Sequence, residues 1–202
     1  MGIDRTVRRS QTITPFGVGG IYDFGSESFV GMDTTKWFPG DSSLRLPRLE
    51  KILGVQQFKA APIAEHAMYP GAHRSGRPIP YLRFPSWLFC STCRAMKQWF
   101  SPMEKKGQHP SCEFCGKKSQ LVPMRFMAVC KSGHLADIPW GTWAHIGSRK
   151  QCSNHRLQFK SDPKRGAGLQ SLVVACVNCK SENNLERLPY KDSLTGVIKI
   201  CP

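Results

Sequence analysis

The chain has 202 residues, 40% of them hydrophobic, which is enough for one or two modest domains with a packed core. Its 18 glycines and 15 prolines predict a turn-rich, irregular architecture. No apolar run approaches the roughly 18 residues that a membrane-spanning helix needs, and the polar N-terminus lacks the apolar segment of a signal peptide. We therefore expect a cytoplasmic protein, in which nine cysteines indicate metal ligands in preference to disulfides.

The formal net charge of +15 is concentrated in the middle of the chain. Residues 1–50 hold six basic and six acidic residues, whereas residues 51–150 hold fifteen basic and four acidic residues, a net charge of +11. Residues 151–202 hold eight basic and four acidic residues. A bias of this kind is typical of an anionic partner, most simply nucleic acid, although solvated lysine-rich loops would give the same composition.

Residues 1–80 are predicted to form an N-terminal docking segment with extended and loop structure. The glycine-rich stretch 15–20 is not followed by Gly-Lys-Ser/Thr, so a phosphate-binding loop is disfavoured. A short helix is predicted from Leu46 to Leu53, and residues 60–79 are predicted to be a loop because they are rich in proline and glycine.

Residues 81–129 are predicted to form a zinc ribbon. Cys90-Ser-Thr-Cys93 is separated by eighteen residues from Cys112-Glu-Phe-Cys115. Each Cys-x-x-Cys turn, called a knuckle below, places two sulfurs about one tetrahedral edge apart, so the two knuckles together supply four thiolates to one structural Zn²⁺. The apolar stretch 81–89 leads into the first knuckle and is expected to be a strand that packs on the ribbon; its aromatic side chains could instead stack on bases.

Basic side chains lie between and just after the two knuckles, where they are candidates for contacts with phosphate. These nucleic-acid-binding candidates are Arg94, Lys97, Lys105, Lys106, Lys117 and Lys118.

Residues 130–202 are predicted to form a second zinc-binding subdomain. The apolar stretch 121–129 predicts a strand that leaves the ribbon, and Pro139 predicts the start of a short helix that sets Trp140 and Trp143 on one face. Asp137 is a candidate N-cap for that helix. A further strand is predicted over residues 169–175.

Cys176-Val-Asn-Cys179 is a third knuckle and needs two more ligands to complete a second zinc site. Because thiolates are the commoner ligands of structural zinc, we predict Cys130, Cys152, Cys176 and Cys179 as the set. The fourth ligand could be a histidine in place of Cys130, and the candidates are His134, His145 and His155.

Both zinc ions are predicted to be structural, and the chain is predicted not to be an enzyme. The sequence has no His-Glu-x-x-His motif and no deaminase-type His-x-Glu with Pro-Cys-x-x-Cys. The predicted fold class is therefore small α+β and irregular, with zinc-ribbon β-hairpins, short helices and long loops rich in glycine and proline.

The sequence resembles the N-terminal part of the DrmB family, zinc-containing and helicase-associated subunits of the bacterial DISARM antiphage systems. The resemblance covers most of the chain and rests on three blocks. They are Arg9-Ser10-Gln11 with Thr14-Pro15-Phe16-Gly17-Val18-Gly19, Phe84-Pro85-x-Trp87-Leu88-x-Cys90-x-x-Cys93, and Cys130-x-x-Gly133-His134-x-x-Asp137-x-Pro139-Trp140-x-x-Trp143-x-His145.

The resemblance implies a non-catalytic subunit that pairs with a superfamily 2-type, DrmA-like helicase and helps to bind phage DNA without sequence preference. It places the ATPase in the partner and implies no small-molecule substrate and no membrane. Family members are much longer than this chain, so Cys201 is expected to be a ligand whose partners lie beyond Pro202. The alternative is a protein-interaction scaffold that makes no direct contact with DNA.

Overall fold

The computed structural model describes residues 7, 9–12, 15–37, 44–59, 61, 79–105, 107–149 and 152–198. Within them the protein is a small mixed α+β structure, with two short α-helices and antiparallel sheets of three-residue to five-residue strands. This confirms the predicted fold class. Most of the predicted loop over 60–79, together with Lys106 and Cys201, lies outside the described residues.

The described chain divides into two compact units. One consists of Gly25–Glu27 and the chain from Arg83 onward; the other consists of the chain up to Phe24 and Ser28–Leu82. The three-part division expected from the sequence, with boundaries at 80/81 and 129/130, stays a prediction.

The first three strands form one sheet in the order β1-β2-β3. Their bounds are β1 Ile21–Phe24, β2 Glu27–Gly31 and β3 Tyr81–Arg83. Helix α1, Pro47–Leu53, lies within the predicted range of 46–53. It begins with a proline at its first position and ends at Gly54, whose φ of 65° is the left-handed conformation that glycine adopts without steric cost.

The ribbon sheet has the strand order β5-β4-β6 and is antiparallel throughout. Its strands are β4 Trp87–Cys90, β5 Met96–Gln98 and β6 Leu121–Pro123. Leu88 on the central strand pairs with Lys97 on one side and Pro123 on the other, and it is fully buried. Strand β4 ends at Cys90, so the central strand carries a buried sulfur to the end of the sheet.

A separate hairpin follows, formed by β7 Met127–Val129 and β8 Leu135–Asp137. The single strand predicted over 121–129 is therefore wrong: it is interrupted after Pro123, and β6 and β7 belong to different sheets. Met124 lies at the interruption and turns its side chain into the core, where it is 1% exposed.

Helix α2, Trp140–His145, begins directly after Pro139, as predicted, and it buries both Trp140 and Trp143. The last sheet has the order β11-β10-β9, with β9 Leu157–Ser161, β10 Leu172–Cys176 and β11 Glu182–Asn184. Short 3₁₀ helices occupy Arg9–Thr12, Thr34–Lys36, Ser101–Met103, Pro163–Arg165 and Gly168–Ser171.

The larger hydrophobic core is built from both halves of the chain after Arg83. Phe89 of β4 packs edge-to-face on Phe159 of β9 with ring centroids 5.3 Å apart, and Trp140 and Val174 are fully buried in the same cluster. A second, small cluster consists of Leu88, Leu121 and the buried cysteines Cys90 and Cys112. Among the described residues, no helix is both long and apolar enough to span a bilayer.

Candidate metal centres

The first cluster consists of Cys90, Cys93, Cys112 and Cys115, whose sulfurs all lie within 4.8 Å of one another. The Sγ atoms of Cys93 and Cys112 are 3.6 Å apart, and those of Cys90 and Cys115 are 4.0 Å apart. Four sulfurs around one tetrahedral ion with metal–sulfur bonds of about 2.3 Å lie about 3.8 Å from one another. The four cysteines predicted from spacing are therefore brought together at distances that suit a tetrahedral metal ion.

The backbone of the ribbon explains why these four sulfurs converge. The Cys90 N–H donates to the carbonyl of Ala95 at 2.9 Å, and the Arg94 N–H donates back to the carbonyl of Cys90 at 3.0 Å, which closes the first knuckle. In the second knuckle the turn is completed by Gly116 at a φ of 67°, where a side chain would be strained. Each knuckle is thus a tight turn whose two cysteines face the same point.

The thiols of the first cluster differ widely in acidity. Burial raises the pKa of Cys90, but the N–H groups of Cys93 and Thr92 outweigh it and bring that pKa to about 6. Burial raises the pKa of Cys93 to about 12, and the neighbouring Cys112 adds to the increase. Like-charged thiolates this close resist ionising together, and a divalent cation between them removes that repulsion.

The second cluster combines cysteines and histidines from three segments of the chain. Donor atoms of His145, Cys152, His155 and Cys176 all lie within 4.8 Å of one another. The sulfurs of Cys152 and Cys176 are 3.7 Å apart, and Cys179 Sγ lies 3.1 Å from His145 Nε2. Three thiols and a histidine therefore form a second group that could bind a metal ion.

Of the two histidines, His145 is the better oriented ligand. It is the last residue of α2, and its Nδ1 lies 2.6 Å from the Gly141 carbonyl, so that nitrogen carries the proton and Nε2 is left to face the sulfurs. The same hydrogen bond is the main cause of the raised pKa of His145. His155 is exposed, and its ring packs against the His145 ring with centroids 4.6 Å apart.

The acidity pattern of the second cluster is similar to that of the first. Hydrogen bonds from the side chain and backbone of Ser181 lower the pKa of Cys179 to about 6. Burial raises the pKa of Cys152 to about 11, and the nearby Cys176 contributes in the same direction. A metal ion would again stabilise the ionised form of all the thiols.

Cys130 is a correction to the predicted second site. The structure places Cys130 in the turn between β7 and β8, where its Sγ lies 3.3 Å from His134 Nδ1, and it belongs to neither four-residue group. The imidazole of His145, and not the thiol of Cys130, lies beside the other three predicted cysteines of this site. Thiolates are the commoner ligands of structural zinc, but the β7–β8 hairpin places the Cys130 thiol beside His134 and outside the second cluster.

Two of the predicted phosphate-binding residues have partners inside the protein. Arg94 lies over the ring of Phe89 at 4.5 Å and donates from Nε to the carbonyl of Phe159 at 2.8 Å. Lys97 pairs with Glu113 at 2.6 Å. These interactions account for the positions of the Arg94 and Lys97 side chains, so no contact with nucleic acid is needed to explain them. Three of the other candidates are exposed, and these are Lys105, Lys117 and Lys118.

A buried ionic network escaped the sequence prediction. Arg83, with a side chain 4% exposed, donates to Glu27 at 2.8 Å, and Glu27 is fully buried. The same guanidinium donates to Glu104 at 3.1 Å, and His109 Nδ1 lies 3.2 Å from the other oxygen of Glu27. The segment between the two ribbon knuckles is thereby fixed at two points. No local pattern signals this pairing, because Glu27 and Arg83 are 56 residues apart.

Asp137 has a different role from the one predicted. Its carboxylate accepts the N–H of Ser86 at 3.0 Å and does not cap α2, which has no side-chain hydrogen bond at its N-cap.

A family model described as "Domain of unknown function (DUF8724)" matches residues 8–202, nearly the whole chain. The protein therefore belongs to that family. A search of curated proteins finds no match.

Proposed function

We propose that this member of the DUF8724 family is a non-catalytic zinc-binding subunit of an antiphage defence complex. In this proposal it pairs with a superfamily 2-type, DrmA-like helicase and contributes a basic surface that binds phage DNA through its backbone. The ATPase activity belongs to the partner. The observation that carries the proposal is the donor set of the first cluster, Cys90, Cys93, Cys112 and Cys115.

Four protein thiolates fill every position of a tetrahedral ion and leave none for a substrate or an activated water. A site of this composition stabilises a fold and does not carry out hydrolysis. Thiolates at tetrahedral separations suit Zn²⁺, and the three thiols with one imidazole of the second cluster are likewise a common structural zinc set. We therefore assign zinc to both sites, with His145 as the fourth ligand of the second.

The proposed DNA contacts are the exposed lysines next to the first metal site. Lys117 and Lys118 follow the second knuckle directly, and Lys105 lies between the two knuckles. The excess of positive charge in residues 51–150 supports an anionic partner for this region. Contacts of lysine with phosphate predict binding that is indifferent to sequence and steeply dependent on salt.

The pairing with a helicase and the role in defence are supported by the sequence resemblance to DrmB. The decisive experiment is co-expression of this chain with the DrmA-like helicase encoded beside it, followed by pull-down and a DNA-dependent ATPase assay. A stable complex with altered ATPase activity or DNA affinity is the expected result. Failure of a folded, zinc-loaded chain to bind the helicase, in either order of purification, would contradict the proposal.

The DNA contacts are tested separately, by fluorescence polarisation with single-stranded and double-stranded oligonucleotides over a range of salt concentrations. The triple variant Lys105→Glu, Lys117→Glu, Lys118→Glu should bind more weakly, with a salt slope lowered by about one for each phosphate that the protein no longer neutralises. The matched control reverses three other exposed lysines and so lowers the net charge by the same amount as the test variant does: Lys51→Glu, Lys164→Glu, Lys191→Glu. Equal weakening in both variants would show that only total charge matters.

The second candidate function is a protein-interaction scaffold without DNA contact. It is favoured by the apolar side chains of α1, where Leu49, Ile52 and Leu53 are 46%, 68% and 61% exposed. Apolar exposure of this extent on one short helix is typical of a protein-docking surface. Helicase binding that survives the lysine reversals but disappears in Ile52→Glu, with no measurable DNA affinity in the wild type, would select this function.

A further inference from the structure

The turn at the tip of the β7–β8 hairpin has the backbone design of a zinc knuckle. In the turns that begin at Cys90 and Cys176, the cysteine N–H donates to the carbonyl five residues later. The N–H four residues later donates back to the cysteine carbonyl, with all four distances between 2.8 and 3.0 Å. The residue that reverses the chain, Arg94 or Lys180, has a φ of 64° in each case.

The turn that begins at Cys130 repeats this arrangement with one residue fewer. The Cys130 N–H donates to the carbonyl of His134 at 3.1 Å, and the Gly133 N–H donates back to the carbonyl of Cys130 at 2.9 Å. Gly133 reverses the chain at a φ of 81°. The shortened turn replaces the second cysteine of a knuckle with a histidine placed just after the left-handed residue.

The two potential donors of this turn are at a separation that one metal ion can bridge. Cys130 Sγ and His134 Nδ1 are 3.3 Å apart. A tetrahedral zinc ion with bonds of about 2.3 Å to sulfur and about 2.0 Å to nitrogen holds such a pair about 3.5 Å apart. A thiolate and an imidazole are also donors that favour zinc over magnesium or calcium.

The hairpin holds this pair in place while leaving it accessible. Ala128 of β7 is buried in the main core and pairs with Ala136 of β8, and Ile138 just beyond the hairpin is 1% exposed. His134 at the tip is exposed, and Cys130 is half-buried. A rigid base with an accessible tip suits a metal-binding turn. The two donors are already in position before the ion binds, so binding loses little conformational entropy.

We propose that Cys130 and His134 form a third zinc site, a two-donor knuckle that binds Zn²⁺ through Cys130 Sγ and His134 Nδ1. The Cys130 thiol loses its proton to solvent as the zinc–sulfur bond forms. With two donors among the described residues instead of four, this site binds zinc more weakly than the two clusters and exchanges it more readily.

The experiment uses the full chain, dialysed against a mild chelator so that only the four-donor sites retain zinc, and then titrated with Co²⁺. The expected result is one further equivalent of bound Co²⁺, with a charge-transfer band from a single thiolate. Cys130→Ser and His134→Ala should each lose that equivalent while keeping the zinc that survives dialysis. Ser132→Ala on the same turn is the matched control and should bind as the wild type does.

A conservative exchange guards against a purely structural effect. His134→Cys restores two donors, so it should retain the additional equivalent and show charge transfer from two thiolates. The proposal is overturned if the wild type binds no Co²⁺ after dialysis, or if Cys130→Ser and His134→Ala both keep the additional equivalent. It is equally overturned if Ser132→Ala loses the equivalent as completely as Cys130→Ser does.

Discussion

The two metal clusters are assembled in different ways. The first takes its four thiolates from two knuckles of the ribbon, and two of those cysteines make up half of the small buried cluster around Leu88 and Leu121. The second takes its donors from the end of α2, a loop and the knuckle after β10, and it lies beside a large core that contains Trp140 and Val174. A metal ion bound in the first cluster would thus take the place of a larger core, whereas one bound in the second cluster would add to an existing core.

The dependence of the second cluster on that core can be followed through α2. The indole N–H of Trp143 donates to the carbonyl of Asn184 at 3.2 Å, and Asn183 donates from Nδ2 to the carbonyl of Trp143 at 2.8 Å. These bonds fix the helix against β11. Because His145 is the last residue of the helix, its position is set by packing and hydrogen bonds that involve no metal.

The largest expected effect is the difference in folding when one cysteine is removed from each of the two clusters. Cys112→Ser should unfold the ribbon, since a structural zinc ion contributes on the order of 10 kcal/mol of folding free energy. Cys152→Ser should lose one zinc ion yet keep the main core, because Trp140 and Val174 are fully buried within that core and Cys152 only packs against it. Zinc content and amide hydrogen exchange over strands β4 and β10 measure the difference.

If Cys152→Ser exposed the amides of β10 as fully as Cys112→Ser exposes those of β4, the contrast between the two clusters would fail. Both sites would then be needed for folding in the same way.

The next effect concerns the ionic network that fixes the segment between the ribbon knuckles. Arg83→Met should lower the free energy of unfolding by about 3–5 kcal/mol, because it leaves the fully buried Glu27 without its guanidinium. Arg165→Met is the control, since Arg165 pairs with Asp162 and Glu182 at the partly exposed surface and its removal should cost about 1 kcal/mol. Urea denaturation of both variants with zinc present gives the comparison. Equal small decreases would mean that zinc alone holds the segment.

The contrast between the clusters also explains what the sequence could predict. The ligands of the first cluster follow from spacing, because a Cys-x-x-Cys turn fixes its two sulfurs locally whatever the rest of the fold does. The fourth donor of the second cluster depends on the position of the end of α2 and on the position of the β7–β8 hairpin. Cys130 and His145 are both reasonable by chemistry, and only the tertiary arrangement brings His145, and not Cys130, to the other donors.

Other predictions are likewise correct where they rest on the local sequence, and they miss contacts that depend on the tertiary structure. The short helix after Pro139, with Trp140 and Trp143 one turn apart, is predicted correctly because it rests on local signals, and the structure shows that both tryptophans are buried. The charge pattern predicts a phosphate contact for Arg94, but its guanidinium lies over rings that include Phe159, which is 65 residues away. A contact between residues so far apart in the sequence cannot be predicted from the local pattern of charges.

A smaller effect distinguishes the two histidines of the second cluster. His145→Ala should weaken metal binding at this site by at least about 100-fold, because it removes the proposed imidazole ligand nearest Cys179 and loss of a supporting partner alone costs up to about that much. His155→Ala should leave the affinity within about tenfold of the wild type, since His155 is exposed and packs on the His145 ring. Competition with a chromophoric chelator measures both affinities. A larger decrease for His155→Ala would identify His155 as the ligand and His145 as its support.

The smallest effect tests whether the two regions unfold as one. Arg94 follows the first knuckle, and its guanidinium lies 4.5 Å from the ring centre of Phe89 and 5.2 Å from that of Phe159, so it links the ribbon sheet to β9. Arg94→Ala should cost about 1–2 kcal/mol, the value of a partly desolvated cation–π interaction. Lys97→Ala, which breaks a partly exposed pair with Glu113, should cost less than about 1 kcal/mol.

The informative measurement is hydrogen exchange at β4 and β10 in the Arg94→Ala variant. If the ribbon and the second region are one cooperative unit, the substitution should lower protection equally in both strands, because both open only in the same global event. If they are separate units joined through Arg94, protection should fall in β4 and remain unchanged in β10. The first outcome would mean that the metal of the ribbon stabilises the second cluster through the shared core, even though the two clusters have no ligand in common.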